Sequence, residues 1–156
     1  MLRFDLPDLA ATSTLAAQIA PVLITGDVIA LRGGLGAGKT TFARALISEL
    51  LGQEADVPSP TYTLVQIYDV PRFPVFHFDL YRLDHADEVL ELGWDETQSG
   101  VSLIEWPDRA GAHLPEWRLD LSLEIIGDIR KARLAPLGEA SQIRLKGLCF
   151  VAACGH

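Results

Sequence analysis

The glycine-rich segment at residues 33–40 limits the possible folds of this chain more than any other part of the sequence. It lies between a short apolar run at 27–33 and a helix-forming run at 39–51. Its spacing, G-x-x-x-x-G-K-[ST], is that of a phosphate-binding P-loop. Such a loop requires a strand before it and a helix after it, and the two flanking runs predict both. We therefore expect a strand, a tight turn and a helix in this order.

The residue types in this segment indicate that it binds a triphosphate. Glycines let main-chain N–H groups approach phosphate oxygens, and the start of the helix adds unpaired N–H groups and the positive end of its dipole. Lys39 supplies a positive charge for the β- and γ-phosphates. The Thr40 hydroxyl is a hard oxygen suited to Mg²⁺. The predicted binding residues of the loop are Gly33, Gly34, Leu35, Gly36, Ala37, Gly38, Lys39 and Thr40.

Two apolar runs end in an acidic residue, which gives candidates for the magnesium shell and for positioning an attacking water. "VFHFD" ends at Asp79 and "VSLIE" ends at Glu105. A carboxylate at the end of a buried strand is costly unless it faces a charged group, and ligands of open α/β sheets bind at strand ends. Each acid alone fits a surface salt bridge equally well. His77 fits a hydrogen-bonded sheet histidine as well as a residue beside the site.

A proline-fixed segment, "SPTYT" at residues 59–63, carries three hydroxyl groups downstream of the loop helix. A segment at this point in the chain can sense the bound nucleotide. An ordinary capped loop is the simpler interpretation of the same residues.

Hydrophobic periodicity and turn residues predict an α/β fold. The predicted strands cover 2–6, 27–33, 62–70, 74–81, 100–106, 117–126 and 129–137, and 107–115 is a predicted loop. The predicted helices are 12–23, capped by Thr12 or Ser13; 39–51, closed by Gly52; and 84–92, capped by Asp84 and stopped by Gly93. Apolar blocks beside alternating runs predict a mixed, mainly parallel sheet of the P-loop NTPase type, flanked by helices, with antiparallel hairpin additions.

Length and charge place limits on domain organisation and partners. A chain of 156 residues predicts one domain over 1–156, with a tail at 136–156 whose structure the sequence leaves open. The run 148–154 fits a last strand, an interface strip or a disordered end, and a strand or packed tail is favoured. The net charge of −8 argues against stand-alone nucleic-acid binding. Two cysteines are too few for a disulfide framework. The chain has no signal-peptide pattern and no apolar run of membrane length, which predicts a cytoplasmic protein without membrane contact.

Five segments together identify a resemblance to a known family. They occur in the order "GDVIALRGGLGAGKTTFARAL", "SPTYTLVQIY", "HFDLYRL", "ELGWDE" and "LIEWPDRAG". This ordered set resembles the TsaE family (formerly YjeE), small bacterial ATPases of tRNA threonylcarbamoyladenosine biosynthesis. The resemblance runs from Asp5 to Leu123, and "LGAGKTT" with "IEWP" is its most specific part. Position 34 is Gly, where the family often has an acidic or other non-glycine residue, but this change removes no ligand.

The resemblance implies a function and a role for each matching residue. Lys39 and Thr40 hold the phosphates and Mg²⁺ of ATP, with Thr41 on the α-phosphate side. Asp79 acts near the magnesium or the attacking water. Glu105 is the Walker B acid, and Trp106 lies beside the nucleotide. The switch-like threonine of the S-P-T motif is Thr61.

The resemblance also implies partners for the chain. Members of the family work with TsaB and TsaD, and TsaD transfers a threonylcarbamoyl group to the adenosine next to the anticodon of tRNA. ATP hydrolysis by the TsaE member keeps that complex turning over. The tRNA is then contacted only through the complex, which agrees with the acidic balance of this chain.

Three other functions compete with this interpretation. A small-molecule kinase usually has a lid with several arginines, and the only dense basic stretch here is "RKAR" at 130–133. A GTPase usually has an N/T-K-x-D motif, and no lysine of this chain is followed by Asp two positions later. An interaction module with a vestigial loop is disfavoured by the intact P-loop lysine, threonine and strand-end acids.

Overall fold

Two helices and seven strands build the fold in the computed structural model, which describes residues 2–34, 36–54 and 64–138. The strands are β1 (Leu2–Leu6), β2 (Val28–Arg32), β3 (Val65–Asp69), β4 (Pro74–Asp79), β5 (Val101–Glu105), β6 (Arg118–Ile126) and β7 (Ile129–Leu137). The helices are α1 (Leu9–Ile19) and α2 (Lys39–Leu51). Short 3₁₀ segments cover Ala20–Val22, Ala86–Leu92, Trp94–Ser99 and Pro107–His113.

The strands form one mixed sheet in the order β1-β7-β6-β2-β5-β4-β3. The central pairs β6–β2, β2–β5 and β5–β4 are parallel. The outer pairs β1–β7, β7–β6 and β4–β3 are antiparallel. The predicted α/β class is confirmed, and so are the hairpins that the sequence predicts between the runs 62–70 and 74–81 and between the runs 117–126 and 129–137. The antiparallel pairs of the described sheet equal the parallel ones in number. Because β2 is central, the loop that follows it emerges from the middle of the sheet edge.

Helix α2 begins and ends where the sequence predicts. It starts at Lys39, directly after Gly38, which adopts the left-handed conformation. It ends at Gly52, whose φ of 79° lets its N–H group bond to the carbonyl groups of Ser48 and Glu49. A left-handed residue at this position closes a helix, and glycine adopts that conformation without steric cost.

The predicted cap of the first helix is wrong. Helix α1 begins at Leu9, three residues before Thr12, and Asp8 is its N-cap. The Asp8 carboxylate accepts a hydrogen bond from the Ala11 N–H group at 2.9 Å. Thr12 is instead buried in the core. The helix ends at Ile19 because Pro21 allows only a 3₁₀ turn at Ala20–Val22.

The predicted third helix is also shifted. The segment Ala86–Leu92 is 3₁₀-helical, its N-cap is His85, and no side chain caps it, so the prediction of an Asp84 cap is wrong. Seven residues are too few for a stable α-helix of their own. Gly93 stops the segment with a φ of 78°, as predicted. The predicted loop at 107–115 contains a further 3₁₀ segment, Pro107–His113.

Hydrophobic residues form a core on each face of the sheet. One cluster joins α1 and α2 to the sheet and includes Leu15, Phe42 and Leu121. The other includes Phe78 and Trp94, whose ring centroids are 5.0 Å apart in an edge-to-face arrangement. Burial on both faces explains why the central strands read as apolar blocks.

Within the described ranges, no helix is long and apolar enough to span a membrane. The predicted tail strand at 148–154 and the loop at 59–63 lie outside the described residues.

Candidate nucleotide-binding site

The turn between β2 and α2 requires glycine at defined positions. Gly33 has a φ of 144°, and a Cβ atom there would lie 2.5 Å from the carbonyl oxygen of Leu123 in β6. Gly36 and Gly38 also have positive φ values, whereas a Cβ atom on Gly34 would meet no atom within 4 Å. The backbone of the turn is therefore fixed by Gly33 against β6. Position 34 is open, so a larger side chain would fit there.

Lys39 lies inside the turn and is 5% exposed. Its Nζ atom donates hydrogen bonds to the carbonyl oxygens of Gly33 and Gly34, both at 2.8 Å. The same atom lies 4.2 Å from the centroid of the Trp106 ring, which is within cation–π distance. Burial lowers the pKa of Lys39, and the negative charges of Glu105 and Asp79 partly oppose that shift. The ammonium group thus lies in a pocket where an added anion would favour its charged form.

Thr40 and Glu105 come together across two neighbouring elements. The Thr40 hydroxyl donates to the Glu105 carboxylate, with Oγ1 2.9 Å from Oε1 and 3.2 Å from Oε2. Thr40 is in the first turn of α2, and Glu105 ends β5, the parallel neighbour of β2. Glu105 is 2% exposed. A buried carboxylate is expensive unless it is paired, and this one lies beside a hydroxyl and near an ammonium group.

His77 supports Glu105 from β4. It is fully buried, and its Nε2 atom lies 2.6 Å from Oε2 of Glu105. An ionised carboxylate only accepts hydrogen bonds, so Nε2 donates to Glu105 in the tautomer that places the ring proton on that nitrogen. The Nδ1 atom has no hydrogen-bond partner among the described residues. His77 therefore fixes the orientation of the Glu105 carboxylate.

Asp79 lies beside Glu105 because the strands β4 and β5 are in register. The two residues are direct neighbours across the parallel pair. Asp79 is 5% exposed, and its Oδ1 atom accepts a hydrogen bond from the Tyr81 N–H group at 3.1 Å. Two carboxylates at one sheet edge, next to a lysine, make a strongly polar site in an otherwise apolar region.

Trp106, the residue that follows Glu105 in the chain, covers the site. It adopts a left-handed backbone conformation with φ of 59°, which is unusual for a bulky residue. Its ring packs against that of Tyr81 with centroids 4.9 Å apart. This strained turn directs the indole over Lys39, and strain of this kind is concentrated at functional sites.

Two cavities open beside the turn. The larger, of about 570 Å³, lies between α1 and α2 and is lined by Thr12, Ser13, Thr41 and Ser48 among others. The smaller, of about 310 Å³, lies between the start of the turn and residues 106–109. Thr41 therefore faces a groove that is large enough for a small organic group.

The donor set at the sheet edge fits magnesium better than a transition metal. In the described part of the chain, no three His, Cys, Asp or Glu side chains are grouped as a metal site. Mg²⁺ usually binds one or two carboxylates together with substrate phosphates and water, and hydroxyl and carboxylate oxygens suit it. Thr40 Oγ1 and the Glu105 carboxylate supply such oxygens next to the phosphate loop.

The structure brings most of the predicted site residues into one place. Lys39, Thr40, Asp79, Glu105 and Trp106 surround the turn, and Thr41 lies on its groove side. Leu35 and Thr61 lie outside the described residues. The proximity of the other residues is observed, and the roles of all the predicted site residues stay predictions.

Two contacts of the site were not predicted from the sequence. They are the bond between His77 and Glu105 and the approach of Arg130 to Gly38. The histidine between Phe76 and Phe78 in a buried strand was a sequence signal for the first contact.

Comparison with known proteins identifies the family of the chain. The family model for the "Threonylcarbamoyl adenosine biosynthesis protein TsaE" matches residues 6–133. The chain belongs to the TsaE family. The match includes the first residues of β7, which lie beyond the segment that carries the motif resemblance.

Individual relatives agree with this assignment. The tRNA threonylcarbamoyladenosine biosynthesis protein TsaE of Bacillus subtilis is 40% identical over 119 residues, which are 75% of this chain and 73% of the relative. The protein of the same name from Rickettsia felis is 36% identical over 121 residues, which are 77% and 71% of the two chains. The crystal structure of YdiB from Bacillus subtilis superimposes with a TM-score of 0.76 at 29% identity, covering 93% of this chain and 91% of that one.

Proposed function

We propose that this TsaE-family chain binds and hydrolyses ATP and thereby supports threonylcarbamoylation of the adenosine next to the anticodon of tRNA. One observation carries the proposal. Lys39 donates to carbonyl oxygens of the backbone turn, and Thr40 donates to Glu105, a buried carboxylate from a neighbouring parallel strand. This combination supplies the anion binding, the metal ligands and the acid that phosphoryl-transfer enzymes of this class require.

Each residue of the site has a proposed role in ATP hydrolysis. Lys39 neutralises charge on the β- and γ-phosphates. Thr40 and Glu105 hold Mg²⁺, and the direct bond between them supports Glu105 rather than Asp79 as the residue nearest the metal. Bound Mg²⁺ would neutralise the charge that develops on the phosphate oxygens. Asp79 orients the attacking water from the adjacent strand.

The groove between α1 and α2 is the proposed site of the nucleoside. The resemblance to the family assigns Thr41 to the α-phosphate side, and Thr41 also lines this groove. The groove has a volume of about 570 Å³, and Thr12 and Ser13, which also line it, offer hydroxyl groups. The Trp106 ring lies 4.2 Å from Lys39 Nζ, and its proposed role is to shield the phosphates from water.

The proposed partners are TsaB-like and TsaD-like proteins. The chain carries a net charge of −8, so a direct grip on the tRNA backbone is electrostatically unfavourable. TsaD-like protein would hold the tRNA and transfer the threonylcarbamoyl group. We expect slow ATP hydrolysis by the isolated chain, because a site completed by partners is typical of switch-like ATPases.

Reconstitution tests this function directly. Purified TsaB-like and TsaD-like proteins, tRNA and the threonylcarbamoyl donor are mixed with the wild-type chain or with Lys39→Ala, and modified adenosine is measured over several turnovers. The proposal expects continued modification only with the wild-type chain and ATP. Equal modification with both proteins, or without ATP, would contradict it.

A further inference from the structure

The hairpin of β6 and β7 reaches beyond the sheet edge toward the phosphate loop. Strand β6 pairs with β2 as far as Ser122 opposite Arg32 and then continues to Ile126. In this extension, the Leu123 carbonyl oxygen lies against Gly33. The chain reverses after Ile126 and returns as β7, where Arg130 pairs with Ile125. The first residues of β7 are therefore carried to the side of the turn.

Arg130 lies against the residue that precedes the P-loop lysine. A Cβ atom on Gly38 would be 3.2 Å from Nε and 3.3 Å from Cδ of Arg130. Gly38 therefore leaves room for this side chain as well as for the left-handed turn. The Nε atom of Arg130 is buried and has no hydrogen-bond partner among the described residues. A buried guanidinium N–H group without an acceptor is costly, so this position favours a ligand that supplies one.

Other arginines near the turn are engaged elsewhere. Arg32 forms ion pairs with Asp108 and Asp120. Burial alone would lower the pKa of Arg32, but the hydrogen bond to Asp108 and the charges of both carboxylates raise it overall. Arg109 donates to the Leu83 carbonyl oxygen. Arg130 thus differs from them because its buried donor at the loop has no acceptor within the described ranges.

We propose that Arg130 contacts the β- or γ-phosphate of bound nucleotide from the side of the β6–β7 hairpin. This inference rests on the proposed ATP binding and adds a second cation to the site, next to Gly38. A guanidinium group suits this task because its planar fork of N–H donors matches two phosphate oxygens. Its place at the Gly38 side of the turn puts it near the phosphates that Lys39 neutralises.

Lys131 is a matched control for Arg130. It is the next residue of the same strand, it carries the same charge, and its Nζ atom pairs with Asp5 at 3.3 Å on the surface. Alanine at either position removes one positive charge from the hairpin. Only alanine at 130 removes a group that touches the phosphate loop. Arg130→Lys keeps the charge and removes the planar fork.

The test measures the affinities of the wild-type chain and the three variants for Mg-ATP and AMP by titration calorimetry. Arg130→Ala should weaken ATP binding by about 10-fold or more, which corresponds to one charge-assisted hydrogen bond, and reduce the ratio of ATP to AMP affinity. Arg130→Lys should lie between Arg130→Ala and the wild type, and Lys131→Ala should match the wild type. A merely structural role of Arg130 would weaken both nucleotides together.

The outcomes separate this inference from the function on which it rests. If the wild-type chain binds ATP and both Arg130 variants bind it equally well, the inference is overturned and the ATPase proposal stands. If the wild-type chain binds no ATP, both fail. If Arg130→Ala does not fold, the folded Arg130→Lys variant provides the test. An unchanged ratio of ATP affinity to AMP affinity in Arg130→Lys also overturns the proposed contact.

Discussion

Replacing Glu105 with glutamine should separate turnover from nucleotide binding. The carboxylate accepts a hydrogen bond from Thr40 Oγ1, and its Oε2 atom lies 2.6 Å from His77 Nε2, which is a donor when it carries the ring proton. The glutamine amide has one acceptor oxygen, so it satisfies one of these donors and presents an NH₂ group to the other. The substitution keeps the size of the side chain but removes the negative charge proposed to hold Mg²⁺.

The magnitude follows from these contacts. Loss of one acceptor for a buried donor costs about 1–3 kcal/mol of folding free energy. Loss of the metal-holding charge should remove at least about 2.7 kcal/mol of transition-state stabilisation, which is about 100-fold in kcat. Lys39 and the backbone turn are unchanged, so we expect the dissociation constant for ATP to change by less than about 10-fold.

A steady-state phosphate-release assay with the reconstituted partners measures kcat, and calorimetry measures ATP binding. Glu91→Gln removes the same charge from an exposed position and serves as the control. A folded Glu105→Gln protein that hydrolyses ATP at the wild-type rate would show that Glu105 is not the acid that holds the metal.

Two further predictions concern the turn and its lysine. Gly33→Ala should lower the melting temperature and abolish nucleotide binding, because its Cβ atom would collide with the Leu123 carbonyl oxygen. Gly34→Ala should fold normally and bind ATP. Thermal melts with and without ATP distinguish the two variants, and equal melting behaviour of both would refute the described turn. Because burial lowers the pKa of Lys39, ATP affinity should fall as pH rises through that lowered pKa. This fall should begin at a lower pH than the one at which an ordinary lysine loses its charge. Lys39→Ala should abolish the pH dependence when ATP binding is titrated at several pH values. The same shift has a stability consequence: the cost of burying the charged lysine is fully present below the lowered pKa and is relieved as pH rises above it.

The local features of the fold could be predicted from the sequence because short-range chemistry determines them. The glycine spacing before Lys39 predicts the turn, and Gly52 predicts the end of α2. The Gly127-Asp128 pair predicts the hairpin of β6 and β7, which the structure contains. Each of these signals acts within a few residues.

The cap of α1 could not be chosen from the sequence because several residues near its start can serve. Asp8, Thr12 and Ser13 all have a side-chain oxygen that can accept from a helix N–H group. Asp8 is selected in the structure, while Thr12 faces the core. Burial decides the choice, and burial depends on how α1 packs against α2.

Contacts across the sheet could not be predicted because they depend on strand order and register. The bond between His77 and Glu105 requires β4 to lie next to β5 in parallel register. The approach of Arg130 to Gly38 requires β6 to pair with β2 and to extend beyond it. The sequence contains these residues and their chemistry, but their proximity is a property of the folded sheet.

Equilibrium titration of the purified chain with Mg-ATP tests whether the turn at Lys39 binds a nucleotide. We expect saturable binding to the wild-type chain and a loss of about 1.5–3 kcal/mol of binding free energy in Lys39→Ala, since one charge-assisted contact is removed. Absence of ATP and ADP binding, alone and with the partner proteins, or unchanged affinity in a folded Lys39→Ala protein, would contradict it.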